Sequence, residues 1–112
     1  MEQTKLKLQN ESLLYQRGKF ELDYGVDAKN NIIYLSDSLD VNTVWFVVTR
    51  INFLKNVNPD KPINLLITSY GGDVYSMLGI IDYIQNCKVE VNTHCYGAAM
   101  SAAAIILACG TG

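Results

Sequence analysis

Histidine is almost absent from this chain. Among 112 residues only His94 occurs, so a mechanism needing two histidines from these residues is excluded. Charge is also scarce: Asp, Glu, Lys and Arg make up 18%, against about a quarter in ordinary globular proteins. Nine basic residues against eleven acidic ones leave a net charge of −2. That gives no electrostatic footprint for nucleic acid or an anionic membrane. The three cysteines, Cys87, Cys95 and Cys109, contain no CxxC pair, so neither a zinc ribbon nor a thioredoxin-like redox motif is supported. The longest apolar stretch, Cys95 to Cys109, spans 15 residues and falls short of the ~20 needed to cross a bilayer. Met1-Glu2-Gln3-Thr4-Lys5 leads into polar sequence instead of a signal peptide. The expectation is reduced thiols in the cytoplasm.

What is present is a hydrophobic share of 49%, enough for one domain that buries roughly two-thirds of its unfolded surface. The shortage of charge is localised. Lys88 is the last basic residue and Glu90 the last acidic one. An uncharged tail of Ala, Ile, Leu and Gly is predicted to be the innermost part of the fold. Since domain ends are normally polar and exposed, it also suggests a domain interrupted at its C-terminal side.

Residues 1–18 are polar with scattered leucines and read as a flexible arm or short amphipathic piece; residues 19–112 read as the folded domain. Phe20, Leu22 and Tyr24 alternate with Glu21 and Asp23, a strand period, and Ile32 to Leu35 forms a compact strand after turn residues. Asp40 is placed to cap a helix reaching about Asn56, with Val41, Val44, Trp45, Val47, Val48, Ile51 and Leu54 on its apolar stripe. Asn58-Pro59-Asp60-Lys61-Pro62 breaks the chain before an apolar run, Ile63 to Thr68, read as a buried parallel strand. Asp73 caps a second helix with Val74, Met77, Leu78, Ile81 and Ile84 as its stripe. Val89 to Cys95 is a further strand, and Gly97 opens a turn into a third helix starting near Ser101. Alternating strands and helices predict an α/β architecture with parallel strands.

Three places could carry chemistry. Gly71-Gly72 sits between a strand and a helix. It is either a tight turn needing backbone freedom or a place where a free amide meets a developing oxyanion. The phosphate-binding patterns GxGxxG and GxxxxGK[ST] are absent, and Asp73 would repel a phosphate. Ser101 lies at a strand-to-helix turn among residues too small to shield it. This suits a nucleophile elbow, although GxSxG is missing; the alternative is a helical serine bonding to the preceding turn. His94 is a poor partner for Cys95, because strand neighbours point to opposite faces. It is equally poor for Ser101, which would require the strand to fold back over its own turn. Cys87 and Cys109 read as small core residues.

Together these segments resemble the ClpP family of serine peptidases, within the ClpP/crotonase superfamily. Asn31 to Leu35 is similar to the family's opening strand, and Asn58 to Gly72 to the segment ending in its NSPGG loop. Gly97-Ala98-Ala99-Met100-Ser101 resembles the GQAAS active-site turn, and Ile105 to Gly110 the FLLAAG helix. The resemblance runs from about Asn31 to Gly112. It implies an α/β fold of repeated strand-strand-helix units, with Ser101 as nucleophile and the amides of Gly72 and Ala102 as oxyanion hole. It further implies stacked homo-oligomeric rings, unfolded polypeptide substrates and a hexameric ATPase partner, with no metal or nucleotide cofactor in the peptidase. Two side chains depart from the pattern: Tyr70 stands for the loop proline, and Met100-Ser101-Ala102 for ASM. The family's histidine and aspartate lie beyond Ser101 by more residues than this chain contains, so the 112 residues alone are expected to be inactive. Other expectations remain open. A signal-peptide-peptidase-like enzyme would pair serine with lysine, although no membrane anchor is evident. A crotonase-type enzyme would hold an acyl-CoA in the same oxyanion hole without needing a nucleophilic serine. A catalytically dead subunit would only help a ring assemble.

Overall fold

The computed structural model describes residues 1–112. In chain order it contains α1 (Glu2–Tyr24), β1 (Val26–Asp27), β2 (Ile32–Ser36), α2 (Val41–Val57), β3 (Ile63–Ser69), α3 (Val74–Asn86), β4 (Val91–Ala99) and α4 (Ala102–Ala108). The four strands form one sheet in the order β1-β2-β3-β4. β1 is antiparallel to β2, whereas β2, β3 and β4 are parallel. The expected α/β architecture with mainly parallel strands is therefore what the chain forms.

The helices α2 and α3 each begin with a cap that the sequence supplies. Asp40 accepts the Thr43 N–H at 3.0 Å while Thr43 Oγ1 accepts the Asp40 N–H at 3.1 Å, a reciprocal box that satisfies two free donors of α2. Asp73 accepts the Ser76 N–H at 2.9 Å and the Ser76 hydroxyl at 2.8 Å at the start of α3. These hydrogen bonds hold the Asp73 carboxyl below the usual carboxylate range.

The core lies on one side of the sheet. Ile63, Leu65, Ile67 and Ser69 of β3 are buried, while the alternate residues Asn64, Leu66 and Thr68 are half-buried or exposed. The short apolar run is thus a one-sided strand, not one covered on both faces. Val47, Ile51 and Leu54 of α2, Ile80 and Ile84 of α3, and Ile106 of α4 close the same core. Each large side chain so enclosed contributes about 1.5–3 kcal/mol relative to exposure. The expected stripes hold at Val47, Ile51, Leu54, Met77 and Ile84, but Val41, Trp45, Val74 and Leu78 are exposed, and Thr43 and Ser76 take buried positions near the caps.

Two other expectations are corrected. Residues 20–24 are not a strand but the last turns of α1, which ends at Gly25 in the left-handed region (φ 67). Phe20 and Tyr24 pair on one helix face, with ring centroids 4.8 Å apart, and Phe20 reaches Phe53 at 5.7 Å. Leu22 between them is exposed. The boundary expected near residue 18 falls inside this helix, which has no buried residue. The uncharged tail is also not innermost. Ala102, Ala103 and Ile106 are buried, but Tyr96, Met100, Ala104 and Ile105 are exposed. β4 is the last strand of the sheet and α4 turns only one face to the core, so low charge here does not translate into burial.

Candidate active site

The C-terminal ends of β3 and β4 meet at one point, the usual place for a site on an open parallel sheet. Ser69 ends β3 and pairs in register with Ala99, which ends β4. Between Ile67↔Cys95 and Ser69↔Ala99 the register shifts, so Tyr96, Gly97 and Ala98 face Thr68 alone. The small-residue turn expected at Gly97 is therefore a bulge inside a longer strand. Gly97 has φ 77, and a Cβ there would meet Thr68 Oγ1 at 3.3 Å. Bulges bend a strand and re-aim the residues that follow it; here the residues that follow are Met100 and Ser101.

Ser101 joins β4 to α4 with φ 54 and ψ −125. A non-glycine residue in this conformation is strained by roughly 1–3 kcal/mol and persists only when its surroundings enforce it. The enforcement is visible. Met100 N–H donates to Ser69 O at 3.0 Å, Ala103 N–H to Met100 O at 3.0 Å, and Ala104 N–H to Ser101 O at 3.1 Å. The side chain of Ser101 is exposed and does not cap α4. The alternative of a helical serine bonded to its preceding turn is not what the chain adopts.

The glycine pair closes against this turn. A Cβ on Gly71 would lie 2.8 Å from Met100 O, 2.9 Å from Ser101 Cβ and 3.2 Å from Ala102 N. A Cβ on Gly72 would run into Leu39 O and come within 2.7 Å of Leu39 N. Only glycine lets the three backbones come this close. Leu39 N–H donates to Gly71 O at 3.0 Å, and Asp73 N–H to Leu39 O at 2.9 Å. Neither Gly72 N–H nor Ala102 N–H pairs with another backbone group. Ser101 and Ala102 thus pack against Gly71, the neighbour of Gly72, and the amides of Gly72 and Ala102 are left without backbone partners at this exposed turn.

His94 does not join them. It pairs in register with Leu66, whereas Ala99 pairs with Ser69, three residues further along β3, so His94 lies roughly 10 Å short of the end of β4. Its Nε2 contacts Asn64 Oδ1 at 3.2 Å. All three cysteines are free, with Cys87 buried and Cys95 exposed. No cluster of His, Cys, Asp and Glu comes together in a way that would hold a metal, and no helix is long and apolar enough to cross a membrane. A cleft of about 530 Å³ opens beside the glycine turn, with Asp37, Ser38, Thr68, Tyr70 and Ala98 among its walls.

Ser69 was not singled out by the sequence. It is 4% exposed; its hydroxyl donates to Asp37 O at 2.6 Å and accepts the Gly71 N–H at 3.1 Å. The available signal was a small polar residue ending an apolar strand, two positions before a glycine pair.

The sequence matches the family model described as Clp protease over residues 17–112. A protein of Prochlorococcus marinus (strain MIT 9312) named ATP-dependent Clp protease proteolytic subunit 1 is 40% identical over 83 residues, which cover 74% of this chain and 43% of that protein. ATP-dependent Clp protease proteolytic subunit 3 of Frankia casuarinae is 35% identical over 96 residues, covering 85% of this chain and 45% of the relative. A subunit 1 from Prochlorococcus marinus subsp. pastoris is 39% identical over 83 residues, 74% and 42% of the two chains. This chain therefore spans less than half the length of the curated relatives it matches. The match covers nearly the whole of the α/β unit, including both turns that meet at Ser101, and the chain belongs to the Clp protease family.

Proposed function

We propose that Ser101 is the nucleophile of a serine-type endopeptidase, with the N–H groups of Gly72 and Ala102 as its oxyanion hole. The observation that carries this reading is the strained, exposed Ser101 pressed against the Gly71-Gly72 turn. In acylation, Ser101 Oγ bonds to the scissile carbonyl carbon, and the carbonyl oxygen takes the negative charge. Two amides already held in place stabilise that oxygen without reorganising. The hydroxyl proton must pass to a base, and a third group must orient that base. His94 lies too far along β4 to take the proton, so the base and its orienting carboxylate come from polypeptide other than these 112 residues. The 112 residues by themselves then have no measurable peptidase activity.

The names of the relatives support a proteolytic subunit working with an ATP-dependent partner. We infer stacked homo-oligomeric rings, a hexameric ATPase unfoldase and unfolded polypeptide as substrate. Three unpaired cysteines support the cytoplasm as the compartment. The peptidase step draws on no metal or nucleotide cofactor.

Labelling with a fluorophosphonate probe tests the nucleophile. In the protein's native assembly the probe is expected on Ser101 by peptide mapping, and Ser101→Ala is expected to lose it while the assembly remains. Unlabelled Ser101 in a folded, assembled protein overturns the assignment and favours the non-catalytic subunit.

A further inference from the structure

Resting on that reading of the site, we propose that Ser69 is a positioning residue, whose buried hydroxyl sets the direction in which the Gly72 N–H points. Glycine at 71 and 72 permits the close approach described above, but it also removes the steric limits on the backbone. Something other than side-chain bulk has to select one orientation of these peptide units. Hydrogen bonds to Ser69 and Leu39 do so.

Three adjacent peptide units are fixed in turn. The first, between Tyr70 and Gly71, is held by its N–H on Ser69 Oγ at 3.1 Å. The second, between Gly71 and Gly72, is held by its carbonyl on the Leu39 N–H at 3.0 Å. In a planar trans peptide the C=O and N–H point in opposite directions, so the Gly72 N–H is turned away from Leu39. The third, between Gly72 and Asp73, is held by its N–H on Leu39 O at 2.9 Å. Leu39 fixes the second and third units, but Leu39 belongs to a loop that itself needs an anchor. Ser69 supplies one, because its hydroxyl donates to Asp37 O at 2.6 Å, two residues before Leu39.

Ser69 also reaches the opposite turn. Its carbonyl accepts the Met100 N–H at 3.0 Å, immediately before Ser101. One residue therefore ties the Leu39 loop and the glycine turn through its hydroxyl, and the Ser101 turn through its carbonyl. Removing the hydroxyl leaves the buried Gly71 N–H without its partner and releases the Asp37 carbonyl to solvent. The glycine turn is then free to rotate, while the β3–β4 ladder and the Met100 contact, both backbone interactions, persist. No hydrogen bond joins the Ser69 hydroxyl to Ser101; Ser69 acts through the glycine turn.

The test uses glycine-selective amide labelling of the 112-residue chain, followed by magnetic resonance of Ser69→Ala, Ser69→Thr and Ser69→Cys. Loss of the hydroxyl is expected to shift and broaden the Gly71 and Gly72 resonances in Ser69→Ala. Gly18 and Gly79 should stay in place, and Ser69→Thr should restore the wild-type pattern. An unmoved Gly72 resonance in folded Ser69→Ala overturns the proposal. Should Ser69→Ala not fold, Ser69→Cys, with its weak donor, takes its place under the same criterion. In the native assembly, the rate at which fluorophosphonate labels Ser101 is expected to fall about 10- to 100-fold in Ser69→Ala, as for other misplacements near an oxyanion. Recovery in Ser69→Thr separates this from general destabilisation, and a labelling rate unchanged by Ser69→Ala also overturns the proposal. A wild-type protein that never labels, yet shows the glycine shifts, retains the positioning role and loses the peptidase reading.

Discussion

The turn around Ser101 and the helix α1 are opposite solutions to the same problem of ordering a backbone. At the turn, residues from β3, β4 and the Leu39 loop are tied by short hydrogen bonds, and glycines allow contacts that any side chain would block. α1 holds 23 residues in regular helix with none of them buried, and only its last turns touch the core. Order at the turn comes from tertiary contact and would not exist in the isolated segment. Order in the first turns of α1 comes from local helix formation, which in water is marginal for segments shorter than about 12–15 residues, whereas its last turns are also held by Phe53, Tyr34 and Arg50. Strain can be stored only in the first kind of region, and the strained Ser101 is found there.

The sharpest way to break this contrast is to place a methyl at the closest approach. Gly72→Ala drives a Cβ into the Leu39 backbone, and Gly71→Ala does the same against Met100 and Ser101. Each is expected to cost about 2–4 kcal/mol by denaturant unfolding and to remove Ser101 labelling. A Gly72→Ala protein with wild-type midpoint and labelling would show that the turn is looser than its contacts indicate. A smaller effect belongs to Asp40, whose carboxylate starts α2 and sits next to the Leu39 loop. Asp40→Ala removes one side of the capping box and is expected to cost about 1 kcal/mol.

These contrasts also explain what could be read beforehand. Asp40 and Asp73 were legible as caps because capping is a local property of a short polar side chain before an apolar run. The parallel order was legible because strands and helices alternate. Leu22 shows where such reasoning fails. Phe20, Leu22 and Tyr24 fit a period of two, yet Phe20 and Tyr24 also lie four apart on one helix face, and only the exposure of Leu22 separates the two cases. The tail after Glu90 fails differently: absence of charge permits burial but does not supply a covering surface. Within the site, Ser101 and the glycine pair stand out as small residues at strand-to-helix turns, and the family resemblance adds the roles of the Gly72 and Ala102 amides. Ser69 was hidden because its partners, Asp37 O and Gly71 N, are backbone atoms that leave no side-chain pattern.

The seam between α1 and the sheet can be probed by pH. Tyr34 on β2 donates its hydroxyl to Glu21 near the end of α1. That hydrogen bond, with burial and the negative charge of Glu21, pushes the Tyr34 phenol up to about 12. Because the folded value lies above the ordinary 10.0, the stabilisation is complete below pH 10 and is lost as pH rises through about 12. Burial also raises the Tyr83 phenol, so phenolate absorbance should show a late component near pH 12 that Tyr34→Phe removes while Tyr83 remains. The same substitution is expected to cost about 0.5–1.5 kcal/mol near neutral pH, the worth of one hydrogen bond.

The smallest effect is expected from deleting residues 2–16. Leu6, Leu8, Leu13, Leu14 and Tyr15 are all more than half exposed, so their removal takes little apolar area out of contact with the core. The contacts that dock α1 lie further on: Phe20 against Phe53, Glu21 with Tyr34, and the Tyr24 carbonyl with Arg50 Nε at 3.2 Å. Gly25 ends the helix with its N–H on Glu21 O at 2.8 Å, and that bond also survives the deletion. Surface changes remote from buried features usually stay within about 0.5 kcal/mol. Denaturant unfolding of the shortened chain should therefore give a midpoint near that of the intact one, with the loss of ellipticity confined to the missing turns. A loss of several kcal/mol in the isolated chain would mean that the first four turns of α1 do bear on the core, and the contrast between the two regions would collapse.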